Sequence, residues 1–533
     1  MPEVAAPRRP SLAGAAFVMM AAFVASRATG LLRDVAVSYQ FGTGPEFGAY
    51  LAAIRIPDLV FQVTAGGAVA SAFIPVFTAY LARGQRDEGW RMVSTLFGIT
   101  VVVLVPLIAA LIALAPELMR LLAPGFRPEY QALAAQLARI LMVMPLLFTL
   151  GCFTTSVLNS HQRFFLAGLA PTSYNLGIIA GALVFAPYLG RRGTEIAPEL
   201  AIRGLALGAV LGSLLFLLVQ VPGLVRVGMR YRPVIDLGQA GVREVGRLMA
   251  PRAVGLAVVQ VNFVVSLYFA SGIPGGPAAL NWAWLLTMLP LGIFAMAISS
   301  AVFPTLAAQT ARSELAEMRR TVATALRLIL FLTIPSSVGL VLLGGPAIRV
   351  LFERGLFTPL STALTLDALR YYAPGLVAMA AVEIVTRAFY ALHDTRTPVA
   401  VAVGAMLVNG ALALLLVGPL GHGGLALATS LAAAAEALAL LTLAERRIPG
   451  LLGRPVLASV ARGAAAALAM AVVLSVYLLV AGGTLASADL LARAGLVMGA
   501  VGVGLAVYLA ASLALRSDEI GLVLRAVVGR GRV

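Results

Sequence analysis

From Leu12 to Leu515 the chain is a succession of apolar runs of bilayer length, separated by short stretches that hold most of its charge. A helix needs about 20 mostly apolar residues to cross the hydrocarbon core. In lipid every backbone N–H and C=O must be satisfied inside the protein, so a chain patterned this way folds as a bundle of membrane helices. With 60% hydrophobic and 12% charged residues among 533, too little polar side chain exists to clothe a soluble domain. About fourteen runs can be delimited, from Leu12–Leu32 through the long, glycine-interrupted Phe47–Leu81 to Leu491–Leu515. The expected class is an all-α polytopic membrane protein.

The loops test that count. Taking the N-terminus as cytoplasmic, one side collects Arg83, Arg86, Arg91, Arg163, Arg226, Arg230, Arg232, Arg243, Arg247, Arg312, Arg319, Arg320 and Arg396, with further arginines toward both chain ends. The other side holds only Arg120, Arg127, Arg191, Arg192, Arg349 and Arg354. Such a bias is the positive-inside pattern, and it places both termini in the cytoplasm of a cell-membrane protein. The net charge of +16 comes entirely from arginine, for there is no lysine. Without a soluble basic domain this charge faces anionic lipid rather than nucleic acid. Cys152 is the single cysteine, so intramolecular disulfides and thiolate zinc sites are excluded. His161, His393 and His422 are scattered in loops, and no nucleophile–base or metal-ligand spacing appears. The expectation is a non-enzyme with no cofactor.

An internal repeat organises the runs. AFIPVFTAYLAR (Ala72–Arg83) aligns with AVFPTLAAQTAR (Ala301–Arg312), matching Pro75 to Pro304 and Arg83 to Arg312. At the same offset Arg91 meets Arg320, Val93 meets Val322, Thr95 meets Thr324 and Pro145 meets Pro374. The offset crosses an even number of runs, so the copies keep one orientation, as in transporters built from parallel repeats. The expected organisation is an N-lobe over residues 1–225 and a C-lobe over 226–450, each of six helices. A C-terminal pair with a cytoplasmic tail follows over 451–533. A central cavity between the lobes is the expected place for a site.

Charges inside apolar runs are costly, about 2.5–3.5 kcal/mol for a central Arg or Asp, and normally face a cavity or a partner. Arg27, Arg33 and Asp34 lie in or at the end of the first run, and Arg27 and Asp34, seven apart, share a helical face. Arg55 and Gln62 share a face of the second run, with Asp58 between them. Arg252, Gln260 and Asn262 are the polar residues of the seventh run. Arginine presents a planar fork suited to phosphate oxygens, so these eight residues (Arg27, Arg33, Asp34, Arg55, Gln62, Arg252, Gln260, Asn262) are candidates for holding an anion. The bland alternative is interfacial placement with local pairing. Glu383 and Arg387, four apart, read as a self-neutralising pair, and Glu436 as a packed acid or a coupling site. Gly204, Gly208 and Gly212, and again Gly495 and Gly499, have the four-residue spacing of close helix packing. Gly66, Gly67, Pro290 and Pro374 are candidate bending points.

Several strings are long and specific: SRATGLLRD (Ser26–Asp34), LNSHQRFFLAGLAPTSYNLGII (Leu158–Ile179), LPLGIFAMAISSAVFPTL (Leu289–Leu306), RGLFT (Arg354–Thr358) and RAFYALHDTRTPV (Arg387–Val399). With them the chain resembles the MurJ/MviN lipid II flippases of the multidrug/oligosaccharidyl-lipid/polysaccharide exporter superfamily. The resemblance implies fourteen helices, a V-shaped cavity between lobes, alternating access, and a groove for a lipid tail formed by the last two helices. It also implies an undecaprenyl-pyrophosphate-linked peptidoglycan precursor as substrate, with membrane lipids and cell-wall synthesis proteins as partners. The family's essential first-helix charges fall on Arg27, Arg33 and Asp34. Its basic and acidic residues of the second span fall on Phe61 or Gln62 and on Gly66, and the arginine before Pro290 falls on Leu285 or Leu286, so this chain departs there. Export of another prenyl-linked glycan or of a drug, and a non-transporting scaffold for wall assembly, are the alternatives.

Overall fold

The computed structural model describes residues 12–65, 68–192, 195–487 and 489–522, giving only the backbone at 12–20, 250–261, 484–487 and a few single positions. The chain is helical nearly throughout: α1 (Leu12–Phe41), α2 (Pro45–Thr64), α3 (Ala68–Ala82), α4 (Arg86–Ala113), α5 (Ala115–Leu122), α6 (Pro128–Leu141) and α7 (Met144–Ser160) come first. There follow α8 (Phe164–Ala180), α9 (Ala186–Gly190), α10 (Pro198–Leu218), α11 (Val221–Arg226), α12 (Ala240–Ala270), α13 (Gly276–Pro290) and α14 (Ala297–Ala311). The last are α15 (Leu315–Leu351), α16 (Pro359–Ala391), α17 (Arg396–Arg447), α18 (Arg454–Ser487) and α19 (Leu490–Ala514). A two-residue antiparallel pair, Arg191–Arg192 with Glu195–Ile196, closes the turn before α10. Among the described residues ten helical stretches are long and apolar enough to cross a membrane. The protein is a multi-pass membrane protein.

Prolines and glycines mark where the helices depart from regularity. Pro290 ends α13 and is followed by a π-helical turn, Leu291–Met296, before α14 resumes. Proline removes a backbone donor and crowds the preceding turn, and a wider turn absorbs the misfit. Pro374 lies inside a continuous α16. Gly66 and Gly67 lie outside the described residues, in the gap between α2 and α3. The 52-residue α17 is two helical arms that meet at Gly421, whose φ of 56° and ψ of −136° are not helical. A Cβ on Gly424 would come 2.2 Å from the Leu416 carbonyl oxygen, so the chain turns back there with no polar loop.

The chain divides into two compact units, Met1–Tyr268 and Phe269–Val533. The division falls inside α12, downstream of the 225/226 boundary read from the repeat. The reason is local packing: Val242 and Val245 of α12 belong to the first unit's core with Phe73, Phe77, Trp90, Met92, Phe153 and Val157. Gln239 also donates to the Glu88 carbonyl at 2.8 Å. In this unit α8 and α10 are drawn together by glycine. A Cβ on Gly177 would sit 2.2 Å from Gly212 Cα, and one on Gly208 would sit 2.3 Å from Gly181 Cα. The expected close packing at Gly204, Gly208 and Gly212 is thus present. Gly495 has open space around it, whereas a Cβ on Gly499 would come 3.3 Å from the Tyr477 hydroxyl, so of that pair only Gly499 lies close against α18.

The second unit has its own core. Val322, Leu326 and Ile329 of α15 pack with Leu376, Ile384 and Phe389 of α16 and with Leu440 of α17. The C-terminal helices add a second cluster, in which Phe331 and Leu343 of α15 meet Met470, Leu474, Ala500, Tyr508 and Ile520. The Tyr508 hydroxyl donates to the Phe331 carbonyl at 2.7 Å. Asp394, within the string Arg387–Val399, accepts from the Thr397 amide at 3.0 Å and its hydroxyl at 2.7 Å, capping the start of α17. These bonds hold its carboxyl below the usual range.

One turn occurs in both units at the repeat's offset. After α3, Gln85 N–H donates to the Tyr80 carbonyl across Gly84 at φ 74°. After α14, Glu314 N–H donates to the Gln309 carbonyl across Ser313 at φ 58°. Each is a left-handed helix end that satisfies a terminal carbonyl.

Candidate functional site

Of the charges in the first run, Arg33 reaches α8 and Asp34 holds Arg33. Arg33 Nε and Nη2 both donate to Asp34 Oδ1, at 2.9 and 2.8 Å, and Arg33 Nη1 donates to Asn175 Oδ1 at 3.1 Å. Asn175 in turn donates from Nδ2 to the Ser26 carbonyl at 3.1 Å and to Thr29 Oγ1 at 3.2 Å. The Thr29 hydroxyl folds back on the Ala25 carbonyl at 2.8 Å. Asn175 is itself buried, so a single amide fixes α1 to α8 and aims the guanidinium. The Arg33 side chain stays 28% exposed and that of Asp34 14%. A planar cation held on one edge by a carboxylate and on another by an amide, with part of its surface open, is equipped to meet a second anion.

The other predicted residues of the first unit lie apart from these hydrogen bonds. Arg27, one face up α1, is exposed, with its guanidinium 5.1 Å from the centre of the Phe23 ring. Arg55 of α2 lies over the Phe263 ring of α12, also at 5.1 Å. Asn262, the neighbour of Phe263 in α12, is half-buried. Gln62 is half-buried beside Phe61, whose ring packs on Phe148 at 5.2 Å. The side chains of Arg252 and Gln260 lie outside the described residues, although both positions belong to α12. In the second unit Arg387 Nη2 is 3.5 Å from Glu383 Oε2 along one face of α16. Glu436 is half-buried in α17.

Two features were not singled out in the sequence. Asn175 lies in the quoted string Leu158–Ile179, and a lone amide in an apolar run was its signal. The other is Arg327 of α15, 2.5 Å from Glu519 Oε1 and 3.2 Å from Asp518 Oδ2. Among the described residues no group of three His, Cys, Asp or Glu side chains could hold a metal ion. Cys152 is a free thiol.

Long apolar helices in two units, broken at proline and glycine, and an arginine–carboxylate–amide group inside the first unit define a polytopic transporter-like membrane protein. Its fold matches that of an inward-facing multidrug-resistance transporter of the MATE family in the MOP superfamily, with a TM-score of 0.65 at 18% identity over 82% of this chain and 99% of that one. The family model described as lipid II flippase MurJ matches residues 37–490, and the chain belongs to that family. A probable lipid II flippase MurJ of Rhizobium meliloti (strain 1021) is 30% identical over 512 residues, 95% of this chain and 94% of that protein. Another, from Haemophilus influenzae (strain ATCC 51907 / DSM 11121 / KW20 / Rd), is 30% identical over 431 residues, 77% of this chain and 82% of its own length. A solved structure of lipid II flippase MurJ in an inward closed conformation superposes with a TM-score of 0.78 at 26% identity, covering 95% of this chain and all of that one.

Proposed function

We propose that this protein moves lipid II, the undecaprenyl-pyrophosphate-linked peptidoglycan precursor, from the inner to the outer leaflet by alternating access, and so serves cell-wall synthesis. A pyrophosphate–sugar–peptide headgroup cannot enter hydrocarbon, whereas the prenyl tail never has to leave it. The protein therefore needs a wet cationic surface that is offered to one leaflet and then the other. The observation that carries this reading is Arg33: a cation within an apolar helix, aligned by Asp34 and Asn175 yet part exposed.

In this reading Arg33 and Arg27 contact the pyrophosphate, Asp34 orients Arg33, and Arg55, Gln62, Arg252, Gln260 and Asn262 complete the polar surface. Phe61, Gly66, Leu285 and Leu286 stand where the family's further charges are expected, so the first helix carries a larger share of the anion contact here. Glu383, Arg387 and Glu436 are structural or coupling groups. The work is transport, with no chemical step on the substrate. Fourteen crossings, lobes over 1–225 and 226–450, a C-terminal pair over 451–533 and cytoplasmic termini belong to the same reading. Cell-wall synthesis proteins are its expected partners.

The test is rescue of cells depleted of their lipid II flippase: growth is expected, and its failure at normal expression would favour a drug exporter or a scaffold. Orientation is checked separately, in a Cys152→Ala background. Gly272→Cys, at an exposed position of the loop before α13, is expected to react with an impermeant thiol reagent from outside and Gly228→Cys is not.

A further inference from the structure

The segment joining α11 to α12 is not a free loop. Ser94 Oγ accepts from the Arg232 amide at 3.0 Å and donates to the Arg230 carbonyl at 3.5 Å. Thr95 Oγ1 donates to the Val234 carbonyl at 3.2 Å and accepts from the Asp236 amide at 3.4 Å. Ser94 and Thr95 are both buried. The backbone groups used belong to residues 230, 232, 234 and 236, every second residue, as along one edge of an extended strand. Ion pairs reinforce the seat, Arg91 to Asp236 at 3.0 Å and Arg230 to Asp87 at 3.8 Å. Two adjacent hydroxyls of α4 thus strap an extended chain across the helix.

What the strap leaves exposed is unusual. Tyr231, Val234, Ile235 and Leu237 are all exposed, Leu237 by 61%, although the Tyr231 ring leans on Phe97 and Ile235 on Gly98 of α4. Arg226, Arg230 and Arg232 are exposed as well. Exposed Arg243 and Arg247 follow on α12, and the acidic residues of the stretch are Asp236, engaged by Arg91, and Glu244. The strap also sits at a defined level on α4. Its Ile235 lies against Gly98, between the polar start of the helix (Arg86, Asp87, Glu88) and its exposed apolar stretch at Val101, Val102, Val103 and Val105. That is the polar–apolar boundary, where Tyr and Arg with aliphatic neighbours are at home.

We propose that residues 225–237 form an interfacial strap that seats on the anionic headgroups of one leaflet, the apolar side chains dipping into the acyl boundary and the arginines meeting phosphate. The leaflet is the cytoplasmic one, a point that rests on the orientation proposed above; the lipid contact itself does not depend on it. Charge complementarity names the occupant, since an uncharged lipid surface would leave Arg226 and Arg232, which have no ion pair among the described residues, without a counter-charge. Each arginine near an anionic surface changes partitioning by about fivefold.

The experiment uses the full chain in nanodiscs whose two leaflets have the same composition, with no substrate present. Leu237→Cys in a Cys152→Ala background carries an environment-sensitive fluorophore, and Arg86→Cys serves as the aqueous reference. In anionic discs the Leu237 label is expected to be blue-shifted and quenched by nitroxides on the acyl chains, and protected from aqueous iodide. Arg230→Gln with Arg232→Gln is expected to bring the quenching down to the level seen in zwitterionic discs. Iodide quenching equal to that of the Arg86 label would overturn the strap as a membrane contact. Acyl quenching that is the same in anionic and zwitterionic discs would overturn its selectivity. Both readouts are independent of flipping, so they stand or fall apart from the transport reading.

Discussion

Arg33 and Arg327 are both arginines set into long apolar helices, and they meet carboxylates in opposite ways. Arg33 pairs with its own neighbour, Asp34, and remains 28% exposed. Arg327 pairs with Glu519, nearly two hundred residues on, and Glu519 is fully buried. A pair between adjacent residues ties no helices together; it fixes the attitude of the guanidinium, and here Asn175 supplies the link between α1 and α8. A pair between distant residues closes a contact, in this case the end of the C-terminal helices onto α15, alongside the Tyr508–Phe331 bond and buried Ile520. The first arrangement leaves a cation available, and the second uses it up.

The largest expected effect is on the closed pair. Arg327→Ala leaves the Glu519 carboxylate buried with no cation, and Glu519 Oε2 already has no hydrogen-bond partner among the described residues. Removing one member of a buried pair costs about 3–5 kcal/mol. Thermal unfolding of the purified protein is expected to shift down sharply, with less protein in the membrane. An unchanged unfolding temperature would show that the tail contact is dispensable and the comparison misdrawn.

Next comes the open pair, where activity and stability are expected to part. If Arg33 meets the headgroup as proposed, Arg33→Ala removes a charge-assisted contact to phosphate worth about 1.5–3 kcal/mol, or roughly ten- to a hundredfold in headgroup affinity. Flipping per folded molecule is expected to collapse while the protein remains inserted. Arg33→Lys falls between, since an ammonium keeps the attraction and loses the fork. Asp34→Asn is milder than Arg33→Ala, because the guanidinium keeps its bond to Asn175. Wild-type flipping by Arg33→Ala at normal expression would make Arg33 an interfacial anchor and send the search for the site to Arg55.

These two pairs also separate what could be read in the chain from what could not. Arg33 and Asp34 stand out because a charge in an apolar run costs enough to need a reason. Glu519 does not, because it follows the last run, where a carboxylate reads as solvated; in the fold it is fully buried and bonded to Arg327, next to Ile520 of the C-terminal cluster. Asn175 carries no charge, so a lone amide in an apolar run is a weak mark, and its hold on α1 shows only when α8 packs there. The apolar runs were legible as helices, since their length and composition leave no other way to satisfy the backbone. The turn at Gly421 was legible as a gap between two runs, while the π-helical turn after Pro290 and the placement of α12 with the first unit depend on contacts distant in sequence. The strap on Ser94 and Thr95 was hidden for the same reason: hydroxyls in a helix announce no partner.

The smallest expected effect belongs to a third kind of pair, and it sharpens the comparison from the other side. Glu383 and Arg387 are four apart on α16, 3.5 Å at closest approach and about equally half-exposed, at 31% and 25%. Such a pair joins one turn of a helix to the next and is worth about 0.2–0.5 kcal/mol. Glu383→Gln keeps a carbonyl oxygen within reach of the guanidinium, so Arg387 loses a counter-charge but not an acceptor. Unfolding is expected to shift only slightly, and flipping in the depleted-cell assay to stay near wild type. If Glu383→Gln instead stops flipping while the protein stays folded, the pair is no staple. Arg387 would then have to be read as Arg33 is: a cation whose partner sets its direction and whose open side meets something that moves.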